Sequence, residues 1–191
     1  MNESVQYLKR DGKPTLAYIY TPASGEGANL PALMFCGGFK SDMMGTKAEY
    51  FEDQCKARGQ AYLRFDYSGH GFSDGDFKDG TIGAWLEDAL AVFDAVINGP
   101  VIIAGSSMGG WSGLLFARAR AEHVKAYIGI AAAPDFTGRL YEEEYSDEQR
   151  KIIDSQGYLE VPNDYSDEPY YFSKALIEDG KAHYLLHEDQ S

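Results

Sequence analysis

The chain has 191 residues, 44% of them hydrophobic and 14% aromatic. That is apolar material for one cored domain, with or without a modest insertion, and too much for a disordered chain. A formal charge of −13 leaves no basic stripe for a nucleic-acid backbone, and no apolar run approaches the ~20 residues of a membrane helix.

Strand and helix patterns alternate along the first two thirds of the chain. Residues 15–20 (TLAYIY) read as an early strand, pairing with residues 4–8. Residues 31–36 (PALMFC) form a short apolar run ending in Gly37-Gly38, a buried strand opening into a loop. Thr46-Lys47-Ala48-Glu49 has the form of a capping box, so a helix starts there and ends at Gly59, a suitable left-handed C′ residue. Residues 60–67 (QAYLRFDY) give a second buried strand. Thr81 caps a longer helix in which Ile82, Trp85, Leu86, Ala89, Phe93 and Val96 share a face. A strand at 100–104, a helix at 108–121 and a strand at 124–132 complete the series. Such alternation predicts right-handed crossovers and an α/β fold built on a mostly parallel sheet.

From Asp135 the character changes. Residues 1–134 carry 15 acids and 12 bases, whereas residues 135–191 carry 15 acids and 5 bases. This second part is rich in tyrosine: Tyr141, Tyr145, Tyr158, Tyr165, Tyr170 and Tyr171. Residues 147–156 and 168–178 look helical, and no buried strand is expected. The division is therefore a core over 1–134, an acidic cap inserted over 135–185, and the start of a return to the core at 186–191.

Three runs carry chemistry. In Gly105-Ser106-Ser107-Met108-Gly109, G-x-S-x-G follows an apolar strand and opens a helix. That context makes Ser107 the candidate nucleophile, held at the tip of a tight turn at a helix N-terminus, with the Met108 amide as first oxyanion donor. A plain glycine-rich packing turn is the alternative. The run Phe35-Cys36-Gly37-Gly38-Phe39-Lys40-Ser41-Asp42 follows the strand expected beside that of Ser107, and makes the Phe39 amide the second donor. In Asp66-Tyr67-Ser68-Gly69-His70-Gly71-Phe72-Ser73 the third glycine of a dinucleotide fingerprint is missing, Asp74 standing in its place. The run reads as a turn near the site, and His70 is not taken as a catalytic base.

Together the Gly37-Gly38-Phe39 loop, DYSGHGFSDG and GSSMGG, in that order, resemble the α/β-hydrolase superfamily. KSDMMGTKA, LRFDYSGHGFSDG and AGSSMGGW are similar to a group within it, the mitochondrial palmitoyl-protein thioesterases and acyl-glucuronide esterases with their bacterial relatives, over about residues 15–190. The resemblance implies an α/β-hydrolase fold and a serine hydrolase acting on a small-molecule or acylated-protein ester or thioester, without metal or organic cofactor. In that superfamily the acid and then the histidine follow the nucleophile along the chain. Both are expected beyond Ser191, so the 191-residue chain reads as truncated and, alone, nearly inactive. His183 and His187 could share a helix face as metal ligands, and His187 could pair with Asp135 or Asp189, but neither arrangement is preferred. Rival readings are a non-catalytic binding protein of the same fold, a peptidase, or a C–C hydrolase; a haloalkane dehalogenase would carry Asp where Ser107 stands. Residues 1–14 show no signal or transit pattern, so the cytoplasm is expected. Cys36 and Cys55 read as small core residues of a reducing compartment.

Overall fold

The computed structural model describes residues 4–162 and 169–186. Its main sheet is built from β1 (Gln6–Arg10), β2 (Lys13–Thr21), β3 (Ala32–Cys36), β4 (Tyr62–Phe65), β5 (Val101–Ser106) and β6 (Val124–Ile130). The strand order is β1-β2-β4-β3-β5-β6. β1 and β2 form an antiparallel hairpin, β2 runs antiparallel to β4, and β4, β3, β5 and β6 are parallel. The early hairpin and the parallel core thus follow the sequence reading.

Every residue of β3 and of β4 is buried, because helices cover both faces as parallel sheets require. Helix α1 (Thr46–Arg58) lies on one face, where Ala48 and Cys55 meet Leu33, Phe35, Tyr62 and Ala104. On the other face α2 (Ile82–Val96) and α3 (Met108–Ala119) bring Trp85, Phe93, Trp111 and Phe116 against Met34, Leu63 and Ile103. The period of two along each strand sorts neighbouring residues to opposite faces. β6 lies at one end of the strand order, with Lys125, Ala126, Ile128 and Gly129 exposed.

The helix ends follow local chemistry, with one correction. Gly59 is the left-handed residue closing α1, and Thr81 caps α2 by accepting from the Ala84 amide at 3.2 Å. Thr46, however, does not cap α1. The N-cap is Gly45, without a side-chain bond, and Thr46 is the first helical residue. Asp42 supplies the turn instead, its carboxylate accepting from the Met44 amide at 2.8 Å and its carbonyl from the Gly45 amide at 3.3 Å. A true capping box occurs at Ser146 and Gln149.

After β6 the chain forms α4 (Phe136–Arg139), a π-helical turn (Leu140–Glu144), α5 (Asp147–Gln156), β7 (Tyr158–Val161), β8 (Tyr170–Ser173) and α6 (Lys174–Lys181). The helix at 147–156 is present. The expectations of a helix over 168–178 and of no buried strand are corrected over the described residues: β8, with Phe172 and Ser173 buried, pairs antiparallel with β7 in a separate two-stranded sheet, and the helix begins only at Lys174. Alternation explains it. Tyr171 stacks on Tyr158 (centroids 4.8 Å, 20°) on one face, while Tyr170 and Phe172 pack against Phe39 on the other. Ser173 then caps α6 by accepting from the Leu176 amide. Ile153, Leu159, Phe172 and Leu176 join the same core as α2 and α3.

Candidate active site

The strand order turns back on itself at β3, whose neighbours are β4 on one side and β5 on the other. One connection leaves β3 for α1 and another leaves β5 for α3, on opposite faces of the sheet. Their carboxyl ends therefore part and open a crevice, the place where ligands bind in open α/β sheets. The register Cys36↔Gly105 sets the two exits level.

Ser107 stands at the tip between β5 and α3 with φ 53° and ψ −119°. A non-glycine residue holds that conformation only where its surroundings over-determine it. Its N–H donates to Ile130 O at 3.0 Å, and its own carbonyl accepts from the Gly110 and Ala133 amides at 2.8 and 3.1 Å. The flanking glycines answer to space: a Cβ on Gly105 would lie 2.3 Å from Gly109 O, and one on Gly109 would lie 2.1 Å from Cys36 O. Met108 is the first residue of α3, so its amide has no partner within the helix and lies at the positive dipole end.

Facing the serine is the loop that leaves β3. A Cβ on Gly38 would lie 3.6 Å from Ser107 Cβ, so this backbone passes directly against the serine. The Ser41 N–H donates to Gly38 O at 3.2 Å and the Ser41 hydroxyl to the same oxygen at 2.8 Å. Lys40 is the third residue of this turn and takes φ 56°, as a type II turn demands there. The Phe39 ring stacks on Phe172 (centroids 5.1 Å, 3°) and meets Phe77, Trp85 and Phe136 edge-on. A cleft of about 540 Å³ runs along Gly38, Phe39 and Ser107, and is also bounded by Thr46, Lys47 and Tyr170. The sequence reading missed those last three. Tyrosine enrichment marked the segment but not the tyrosine, and Thr46 was assigned to a cap.

The third run supports this loop from behind. Asp66 accepts from the Met43 amide at 2.7 Å and the Phe72 amide at 2.8 Å, tying the two turns together. Burial pushes its carboxyl up to about 6, against the pull of those two amides. Gly71 passes so close that a Cβ would sit 2.2 Å from Asp66 Oδ2. His70 is buried; its Nδ1 lies 3.2 Å from Ser68 O and its Nε2 accepts the Lys40 N–H at 3.2 Å.

The remaining candidates do not converge on Ser107. No histidine among the described residues lines its cleft. Asp135 is buried, and its carboxylate accepts from the Leu185 amide at 2.9 Å and the Leu186 amide at 2.7 Å. His183 lies 3.7 Å from Asp179; His187 and Asp189 fall outside the described residues. Among the described residues no cluster of three or more metal-ligating side chains occurs, and no helix is long and apolar enough to cross a membrane. Cys36 and Cys55 are both buried and free, and burial pushes the Cys36 thiol up to about 12.

Known proteins of this architecture bear on the class. Residues 34–186 match the model of the alpha/beta hydrolase family. A putative hydrolase from Agrobacterium vitis S4 has a solved structure 36% identical, with TM-score 0.89, covering 96% of this chain and 73% of its own. The chain belongs to the alpha/beta hydrolase family, and its fold is that family's, a mostly parallel sheet flanked by helices. More particularly, it is 39% identical over 185 residues to the human mitochondrial palmitoyl-protein thioesterase ABHD10, a match covering 96% of this chain and 58% of that protein. The structure of alpha/beta hydrolase domain-containing protein 10 from mouse is 39% identical, with TM-score 0.85, covering 97% of this chain and 72% of the other. The chain thus spans about 58% of the length of its human relative. That relative is named as mitochondrial, and the cytoplasmic expectation finds no counterpart in it.

Proposed function

We propose that the chain carries the nucleophile and oxyanion half of a serine hydrolase that cleaves carboxylic esters or thioesters. The observation that carries this reading is Ser107 itself, held at φ 53°, ψ −119° over a cleft with the Gly38–Ser41 turn opposite. In such a site the Ser107 Oγ attacks the carbonyl carbon, and the amides of Phe39 and Met108 receive the negative charge that develops on its oxygen. A base takes the hydroxyl proton and returns it to the leaving alcohol or thiol; water then releases the acyl group from the serine. No described histidine lines the cleft, so the base is expected outside the described residues, and turnover is measured on the full-length protein.

Residues 135–185 serve in this proposal as a cap. Tyr170 on β8 borders the cleft and Phe172 backs Phe39, which gives the entrance apolar walls suited to an acyl chain or aromatic acid. The names of the ABHD10 relatives point to acylated proteins as one substrate class. Neither metal nor organic cofactor enters the scheme.

The test is fluorophosphonate labelling, with hydrolysis of p-nitrophenyl esters and a palmitoyl thioester, before and after Ser107→Ala. Loss of label and of turnover is expected; a variant that still labels carries its nucleophile elsewhere. That no described histidine lines the cleft also favours a second reading, a non-catalytic ligand-binding protein of this fold. Fatty-acid binding without labelling at Ser107 in the full-length protein would decide for it.

A further inference from the structure

His70 is a buried histidine, at 4% exposure, with both ring nitrogens engaged. A carbonyl oxygen only accepts, so the contact with Ser68 O puts the ring proton on Nδ1 and leaves the Nε2 lone pair for the Lys40 N–H. Ser68 is fixed in turn. Its carbonyl also accepts from Trp85 Nε1 at 3.1 Å, and its amide and hydroxyl donate to Asp88 at 2.8 and 2.7 Å. Asp88 pairs with Arg10 at 2.8 Å. Phe77, Trp85 and Tyr67 meet the imidazole edge-on, with centroids 5.1, 5.2 and 5.7 Å away. The ring orientation is therefore set by α2 and by the β1 end of the sheet, and neither nitrogen is left to take a proton from Ser107.

What the ring holds is a strained turn. Lys40 at φ 56° is a lysine where a glycine would rest more easily. Its N–H belongs to the peptide linking it to Phe39, so an acceptor fixed at 3.2 Å orients that peptide and the turn around it. We propose that His70 is a positioning residue for the oxyanion loop, its neutral ring accepting the Lys40 N–H and so keeping the Phe39 amide set opposite Ser107. The proposal rests on the reading of Ser107 as nucleophile and Phe39 as oxyanion donor. Burial holds His70 below its ordinary value despite Asp88, which keeps the ring neutral and Nε2 an acceptor.

The test compares His70→Leu, His70→Gln and Ser107→Ala in the full-length protein, with melting temperatures recorded for each. Leucine removes the acceptor; glutamine places an amide oxygen close to the Nε2 position. For His70→Leu we expect kcat to fall about 10- to 100-fold with KM within about twofold, the pattern of a weakened oxyanion donor. His70→Gln should recover kcat to within about fivefold of the unaltered protein, again with KM unchanged. A folded His70→Leu with wild-type kcat overturns the proposal, as does a folded glutamine variant no better than leucine. Should both variants fail to fold, the unaltered protein still decides. A scalar coupling between the Lys40 amide nitrogen and His70 Nε2 is expected by NMR of a 15N-labelled sample, and its absence overturns the proposal. Wild-type turnover in Ser107→Ala would instead remove the nucleophile reading, leaving the coupling to report on the Lys40 contact alone.

Discussion

Gly109 shows how narrowly single residues define the site. A methyl group there would lie within 2.3 Å of both the Cys36 and Gly37 carbonyl oxygens, and these are backbone atoms that cannot swing aside. Gly109→Ala is therefore expected to lower stability by at least about 2 kcal/mol, read from the urea midpoint, and to suppress labelling at Ser107. Its role as a spacing residue was legible in G-x-S-x-G; the atoms it must avoid, at the end of another strand, were not. His70 is the opposite case, a residue read from the sequence as part of a turn and not as a base, whose contacts in the fold make it an acceptor for a backbone amide. Its depressed titration also carries a sign for stability. The unfolded chain protonates the histidine near 6.5 while the fold resists it, so this contribution is complete above that value and declines as pH falls below it. The stability difference between the unaltered protein and His70→Gln should accordingly shrink as pH is lowered from about 7 to about 5. Denaturant titrations across that range would show it, and a constant difference would count against a neutral buried ring.

Among the elements, β7 and β8 are the strands the sequence reading did not anticipate, and β8 is the more instructive. Tyr170, Tyr171, Phe172 and Ser173 follow an acidic stretch and precede a good helical pattern in Lys174–Lys181, and four residues give too short an alternation to outweigh that helix. The strand's partner, β7, lies across an intervening segment, so the pairing is a tertiary fact. The βα units that build the sheet were legible because each buried strand is a short apolar run ended by a turn residue. Within residues 135–185, Phe172 is a buried ring that reaches the Phe39 loop. Phe172→Ala is expected to cost about 3 kcal/mol, at the low end for a buried phenylalanine because the surrounding rings can relax. It removes the ring stacked on Phe39, so fluorophosphonate labelling of Ser107 should slow as well. An unchanged labelling rate would show that Phe172 does not bear on the loop.

At the scale of the whole molecule, the two ends of the sheet differ. The β1–β2 hairpin is anchored to α2 through Arg10 and Asp88, whereas β6 exposes Ile128 at 40%. On the same face Leu30 and Tyr50, at 42% and 60%, border a largely apolar depression with Phe51 and Ile102, edged by Gln54, Arg58 and Gln60. A contiguous apolar face beside a strand edge favours self-association. The 191-residue chain on its own is expected to sediment as more than a monomer, and Ile128→Lys to shift it toward the monomer; a clean monomer before substitution would refute this. None of it was readable from VKAYIGIAA, since an apolar run reads alike whether covered on one face or two. The acidic balance, by contrast, was plain, and it disfavours polyanionic partners within the roughly 8–10 Å that salt leaves unscreened.

The backbone at Ser107 has one more implication. At φ 53°, ψ −119° glycine would sit without steric strain, so Ser107→Gly should melt higher than the natural protein, by the equivalent of about 1 kcal/mol, while losing its hydroxyl. Two quantities that usually fall together in a mutant would then move apart. A higher melting temperature for the glycine variant would mark Ser107 as a residue held for its chemistry and not for the fold, and a lower one would mark the turn as shaped by stability.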